Sequence, residues 1–410
     1  MQSKVNSNLD KEKWKAYIFY DLALLISEKF DPKQNKEEEI CIELEHISSE
    51  NGMLLGHTST KETLSIKNRF RFNDVLFGKL RPYLKKYYLA KFQGVCSTEI
   101  WVLRSKNNLC NSNYLFYIVQ SSIFNKVANI SAGTKMPRSD WNVVSNLVLK
   151  IPPLDEQKKI AEILGTIDRT LELTEKLITA KRKLKQGLMQ KLLTGKLRFP
   201  EFVKSNKCQK YHFLSCPTDW KIYSIGEICR EISNKNASSE TTVLSCTKYD
   251  GLVPSLEYFG RKVYGDNLDK YKIVKRNQFA YATNHIEEGS IGLLKDLDIG
   301  LVSPIYTVFE TKKSFVLPEY LILILKTEVY RKIFESLTLA SVDRRGSLRW
   351  NGFSKIKVAI PNIDEQEKIT KLFNKLTLEI NCLEKKLLYL QEQKKGLMQQ
   401  LLTGKIRVNQ

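Results

Sequence analysis

Histidine is scarce in this chain: four residues among 410, scattered singly at positions 46, 57, 212 and 285. Metal or general-base constellations built on imidazole are therefore poorly supported. The eight cysteines (41, 96, 110, 208, 216, 229, 246 and 382) include no Cys-x-x-Cys pair. No zinc site is expected, and the thiols read as buried or free side chains of a reducing compartment. Cys208, His212 and Cys216 lie close together, which reads as a loop coincidence. A Gly-x-x-x-x-Gly-Lys-Ser/Thr loop is missing, which excludes a P-loop motor. Also missing are an Asn/Asp-Pro-Pro-Tyr/Phe loop of the kind that holds a flipped adenine and a Pro-Asp…Glu-x-Lys nuclease pattern. No apolar run is long enough to span a bilayer and no signal-peptide pattern is seen, so a cytoplasmic protein without membrane contact is expected. Neither catalysis nor a cofactor is expected of the chain by itself.

What the chain does have is positive charge. The formal net charge is +21, divided as +7 over 1–150, +5 over 151–200, +6 over 201–359 and +3 over 360–410. An excess spread over the whole length, with no basic tail, suits a broad contact with a polyanion such as duplex DNA. The length suggests two or three domains.

It also contains a repeat. Residues 151–198 align with 360–407 at a constant offset of 209 without a gap, and 20 of the 48 positions are identical. Identity concentrates at the ends of the block. Asp155-Glu156-Gln157 matches Asp364-Glu365-Gln366, and Gly187-Leu188-Met189-Gln190 with Leu192-Leu193-Thr194-Gly195-Lys196 matches Gly396-Leu397-Met398-Gln399 with Leu401-Leu402-Thr403-Gly404-Lys405. An internal repeat is read before other features because it sets the architecture. In the second copy Ile369, Phe373, Leu376, Ile380, Leu383, Leu387, Leu390 and Leu397 step by fours and threes, with Lys394 as the break. The first copy gives Ile160, Leu164, Ile167, Leu171, Thr174, Ile178 and Leu188, with Lys181 and Lys185 on the same seam. Such spacing predicts helices at about 155–194 and 364–403 with a heptad stripe that needs a partner helix. Each run follows a proline, opens with acidic residues that suit a helix N-terminus and closes at a glycine able to take the left-handed C-cap. Antiparallel pairing of the two copies closes the arrangement most simply.

Two globular segments precede the helices. Strand-like runs fall at 99–103 and 147–151 in the first and at 271–274, 279–281 and 305–309 in the second, with helical stretches at 112–126 and 318–337. The repeat extends upstream only as Trp141-Asn142 and Ser145 against Trp350-Asn351 and Ser354. Basic loops stand out as candidate DNA contacts: Lys79, Arg81, Tyr83, Lys85 and Lys86; then Lys135 and Arg138 ahead of Trp141; then Arg344, Arg345 and Arg349 ahead of Trp350. Arginine suits bidentate recognition of guanine edges, and both cations hold phosphates.

The chain resembles the specificity subunit of type I restriction–modification enzymes over nearly its whole length. The residues that carry the resemblance are Pro-Pro-Leu-Asp-Glu-Gln-Lys-Lys-Ile at 152–160, Gly-Leu-Met-Gln-Lys-Leu-Leu-Thr-Gly-Lys at 187–196, their second copies, and Asn-Asp-Val-Leu-Phe-Gly-Lys-Leu-Arg-Pro-Tyr-Leu at 73–84. In the second segment Asn277-Gln278-Phe279-Ala280-Tyr281 stands at the matching place and no Lys-Leu-Arg-Pro-Tyr follows. The resemblance implies an α+β architecture: target-recognition domains at 1–152 and 201–361, and conserved helical regions at 153–200 and 362–410 forming an antiparallel coiled coil with pseudo-twofold symmetry. It implies that each recognition domain reads one half of a split double-stranded DNA sequence, that the helices set the spacing, and that two methyltransferase subunits and, through them, restriction subunits join the chain. Two other readings are a stand-alone sequence-specific DNA-binding regulator without catalytic partners and a purely structural coiled-coil scaffold; co-purification of a methyltransferase subunit distinguishes them from the family reading.

Overall fold

Two helices dominate the secondary structure of the computed structural model, Leu154–Leu192 with 39 residues and Ile363–Leu402 with 40. At about 1.5 Å per residue each is roughly 60 Å long. The described residues are 14–35, 37–106, 108–130, 136–205, 207–211, 214–235, 241–339 and 347–408. Acidic residues (Asp155 and Glu156, Asp364 and Glu365) lie in the first turns, and Gly195 and Gly404, both at φ 70°, follow the last turns. The Leu197 N–H reaches back to the Lys191 carbonyl and the Ile406 N–H to that of Gln400, satisfying carbonyls the helix leaves open.

Chain contacts divide the molecule into two units, residues 1–176 with 384–410 and residues 177–383. The first unit holds a four-stranded antiparallel sheet in the order Ala23–Ile26, Ile100–Ser105, Val75–Gly78, Tyr87–Leu89. A five-stranded sheet adjoins it in sequence, with Ile40–Ile42 parallel to Gly94–Ser97. The helical stretch expected at 112–126 is two helices, Ser112–Gln120 and Ser122–Ala128, because Ser121 turns extended (ψ 151°) and its hydroxyl accepts the Phe124 N–H to cap the second. In the second unit the four-stranded sheet repeats the order: Cys229–Ile232, Tyr306–Thr311, Gln278–Ala282, Ile291–Leu293. Its helical stretch likewise splits, into Pro318–Leu325 and Glu328–Leu339. A two-stranded ribbon leads into each long helix: Lys15–Ile18 with Val148–Ile151, and Lys221–Ser224 with Lys357–Ile360.

The helices supply part of each core. Ile160, Leu164, Met398 and Leu401 pack with Phe19, Phe77, Trp101 and Phe124 in the first unit. Leu192, Ile369, Phe373 and Leu376 pack with Phe279, Phe309, Phe334 and Phe353 in the second. Along the stripe, Ile160, Leu164, Ile178, Ile369, Phe373, Leu376 and Ile380 are buried, and Ile167, Leu171, Leu188, Leu383, Leu387, Leu390 and Leu397 are half-buried. Off-stripe leucines 173, 184, 378 and 388 are exposed. Burying a side chain of this size contributes about 1.5–3 kcal/mol, so the stripe is a major stabilising element.

The lysines on the stripe all have partners. Lys181 Nζ lies 2.7 Å from Glu379 Oε2, and Lys185 Nζ donates to Thr377 Oγ1 at 2.8 Å. Lys394 Nζ lies 2.6 Å from Asp168 Oδ1 and donates to Gln120 Oε1 at 2.9 Å.

Candidate nucleic-acid interface

The repeated Glu-Gln pair at the start of each helix turns out to be a joint. Gln157 Nε2 donates to the Leu109 and Pro152 carbonyls, and its Oε1 accepts the Asn111 N–H, all at 2.9 Å. Gln366 repeats this with the Phe315 and Pro361 carbonyls at 3.0 and 2.9 Å and the Leu317 N–H at 2.9 Å. Asn111 and Leu317 are the N-caps of Ser112–Gln120 and Pro318–Leu325, so each glutamine fixes its long helix to the start of one of these two helices.

The neighbouring glutamates meet arginines from the other copy's end. Arg407 grips Glu156 with Nε and Nη2, both at 2.7 Å, and Trp14 Nε1 adds a bond at 3.2 Å. Arg198 grips Glu365 at 2.9 and 2.7 Å and reaches Asp219 at 2.8 Å. Each guanidinium also lies over a tryptophan ring, Trp14 at 5.6 Å and Trp220 at 6.0 Å. Burial alone would raise the Glu156 carboxyl, but the bonds and charge of Arg407, with Trp14 and the Val408 N–H, hold it below its ordinary range. The Glu365 bond and charge push Arg198 up. The sequence marks Glu156 and Glu365, and Arg198 and Arg407, as identical in the two copies, but it pairs none of them and marks neither tryptophan.

The basic loops of the first unit converge. Residues 79–86 connect the paired strands Val75–Gly78 and Tyr87–Leu89. The Arg81 N–H donates to the Pro137 carbonyl at 2.8 Å and the Ser139 N–H to the Lys79 carbonyl at 2.9 Å, which brings 79–86 against 136–139. Arg81 (φ 53°) and Lys85 (φ 49°) take left-handed backbone, a costly conformation for residues with a Cβ. Arg81 is exposed and Tyr83 is 53% exposed, whereas Lys79 is half-buried. Other cations are engaged within the protein. Arg138 holds Glu99 through two bonds at 2.9 and 3.2 Å, which raise its pKa. Lys85 pairs with Glu50 at 2.6 Å, and Lys86 Nζ donates to the Leu44 carbonyl at 2.6 Å. Lys135 lies outside the described residues.

In the second unit Arg344 and Arg345 also lie outside the described residues. Arg349 is exposed and is the N-cap of Trp350–Phe353. The preceding Leu348 is buried and its N–H donates to the Thr283 carbonyl at 2.8 Å, which sets 347–349 beside the connection between Gln278–Ala282 and Ile291–Leu293. Among the described residues one trio of potential metal ligands lies together, His285, Glu287 and Glu288. His285 Nδ1 is 3.1 Å from Glu288 Oε1. Cys208 is exposed and Cys216 buried, and His212 falls outside the described residues. No helix among the described residues is long and apolar enough to cross a membrane.

Two mixed domains thus sit on a repeated helical frame, and the first carries a cationic connection between paired strands. The type I restriction modification DNA specificity domain matches residues 11–180 and again 217–391, and the chain belongs to that family. It is 28% identical over 359 residues to the type I restriction enzyme MjaVIII specificity subunit of Methanocaldococcus jannaschii, covering 82% of this chain and 80% of that protein. It is 25% identical over 427 residues to the putative MjaX specificity subunit of the same organism, covering 97% and 94%. The S subunit of a type I restriction-modification system from M. genitalium shares the fold, with a TM-score of 0.58 at 16% identity over 98% of this chain and 99% of that one.

Proposed function

We propose that this chain is the non-catalytic specificity subunit of a type I restriction–modification complex. The observation that carries the reading is the double family match, one per copy, on a frame whose joint is kept while the domain bodies diverge. Recognition domains at 1–152 and 201–361 each read one half of a bipartite duplex sequence. The first does so with Lys79, Arg81, Tyr83, Lys85, Lys86, Lys135 and Arg138, the second with Arg344, Arg345 and Arg349. Arg81 reads bases or phosphate directly, while Arg138, Lys85 and Lys86 exchange Glu99, Glu50 and the Leu44 carbonyl for DNA. The helical regions 153–200 and 362–410 pair as an antiparallel coiled coil in a pseudo-twofold arrangement. Supporting this sense, the glutamate that opens each helix pairs with the arginine beyond the end of the other. Two methyltransferase subunits bind the helical frame and restriction subunits join through them, in the cytoplasm.

The test is methylome sequencing of a host carrying this chain with its methyltransferase, and again after residues 201–359 are exchanged for the matching domain of a relative. The expected result is a split methylated motif of which one half changes and the other persists. A motif changed in both halves, or in neither, overturns the modular reading. A chain that binds duplex DNA specifically but never co-purifies with a methyltransferase is the stand-alone regulator instead.

A further inference from the structure

The two units place loops of opposite character at the same point of the fold. The Ser139 N–H donates to the Lys79 carbonyl, and 209 residues later the Leu348 N–H donates to the Thr283 carbonyl. Each acceptor opens the connection that follows the third strand of its four-stranded sheet. Residues 283–289 are therefore the second unit's counterpart of 79–86. They read Thr-Asn-His-Ile-Glu-Glu-Gly, with no lysine or arginine. Such a loop cannot hold a phosphate as a guanidinium does. It offers an amide, an imidazole and carboxylates, groups able to pair with base edges and carrying no fixed positive charge to neutralise a phosphate.

A second hairpin tip is fixed beside this loop. Strands Leu244–Thr247 and Gly251–Pro254 pair antiparallel around Lys248, Tyr249 and Asp250. Tyr249 is 82% exposed, and the Lys248 ammonium lies 5.2 Å from its ring centroid. The hairpin backbone comes so close to Gly292 that a Cβ there would sit 2.6 Å from the Leu252 nitrogen, so only glycine fits. Lys326 Nζ donates to the carbonyls of both Lys248 and Gly289 at 2.8 Å, tying the two tips to one ammonium. Burial pushes the Lys326 pKa down, an expense tolerated at a site where two loops must be held in register. His285 is oriented by its contact with Glu288. An aromatic ring on a clamped hairpin is a preorganised contact that loses little freedom on binding.

We propose that the second recognition domain reads its half-site through these adjoining tips, Lys248–Tyr249 and Asn284–His285, seated in a groove of duplex DNA, with Lys326 as the positioning residue. The proposal rests on the functional reading above and deepens it. The tips act beside the segment that contains Arg349, and through Tyr249, Asn284 and His285 they add uncharged hydrogen-bonding and aromatic contacts to it.

The test uses the full chain in complex with its methyltransferase subunits, in three variants: Tyr249→Ala, Asn284→Ala with His285→Ala, and Lys326→Met. Each of the first two should weaken binding to the cognate duplex roughly 5- to 150-fold. The slope of log affinity against log salt should stay unchanged, because neither variant removes a lysine or arginine that neutralises phosphate. The methylated motif should become degenerate in one half only. Lys326→Met should relax the positions affected by both tip variants together, and circular dichroism of the exposed Tyr249 variant should match the parent. A split motif and an affinity untouched by the variants overturn the assignment alone. Loss of methyltransferase association at unchanged DNA affinity also overturns it, making the tips a protein-docking surface. A parent complex that methylates no split motif sinks the functional reading and the assignment with it.

Discussion

The connection at 79–86 and the connection at 283–289 begin from the same backbone bond and share no chemistry, one cationic and strained, the other uncharged or acidic. The glutamine joints and glutamate–arginine clasps of the two units repeat with the same atoms in the same roles. The difference separates two kinds of constraint. A contact that holds the frame is copied because it must fit the other copy's residues, whereas a loop that faces an external ligand is free to change sign.

The clasps are the place to press hardest on the repeated half of that comparison. Glu365 and Arg198 are 1% and 5% exposed as side chains, whereas the Arg407 of the other clasp is 25% exposed. Removing one member of a buried pair costs about 3–5 kcal/mol. Glu365→Ala should therefore lower the urea midpoint of unfolding strongly, and Glu156→Ala by less. Equal effects would show that burial does not govern the clasps. Truncating the stripe with Leu376→Ala should cost about 2–5 kcal/mol. Adding Leu383→Ala should cost less than the first change, since Leu383 is only half-buried, and the same urea titration reads both.

The divergent half of the comparison is tested by salt. Arg81→Ala should weaken binding to all duplexes or relax one half-site, and a phosphate role would shallow the salt slope by about 0.9 per contact. Lys86→Ala should change the slope less, because its ammonium is taken by the Leu44 carbonyl. A steeper loss with Lys86 than with Arg81 would reverse the assignment.

Acid gives a smaller and separable effect. The Glu156 carboxyl titrates below its ordinary 4.5 in the folded chain. Its contribution to stability is thus fully present above that value and is lost as the pH falls through the folded pKa. Glu156→Gln should flatten the stability profile in that window, measured by thermal melts from pH 6 downward. The smallest change is expected at Lys185, whose pKa burial pushes down. Lys185→Met removes a half-buried ammonium and should shift stability by less than about 1 kcal/mol, in the stabilising direction if the Thr377 bond does not offset the burial.

Much of the frame was legible in the residues. The four-and-three spacing located both helices to within two residues at each end, and Gly195 and Gly404 marked where they stop. What stayed hidden was tertiary. Asp-Glu-Gln read as a favourable first turn, yet Glu156 and Gln157 each find their partners far along the chain, at 407 and at 109–111. No local pattern encodes a partner 251 residues away. The seam lysines interrupt the apolar pattern in sequence, and their partners Glu379, Thr377 and Asp168 are fixed only by the tertiary structure. Among the candidate DNA contacts, the sequence could not tell exposed Arg81 from Lys86, whose ammonium is turned inward. It drew attention to arginines in the second unit while passing over Tyr249 and the loop at 283–289, because neither carries a recognisable cationic signature.

The glutamine joint has a consequence for how such a molecule can evolve. Gln157 and Gln366 bond only to main-chain groups, carbonyls that every residue supplies and amide N–H groups that every residue but proline supplies. A joint addressed to the backbone is indifferent to the side chains it meets. The domain bodies can accordingly drift in sequence without any matching change in the glutamine that holds them.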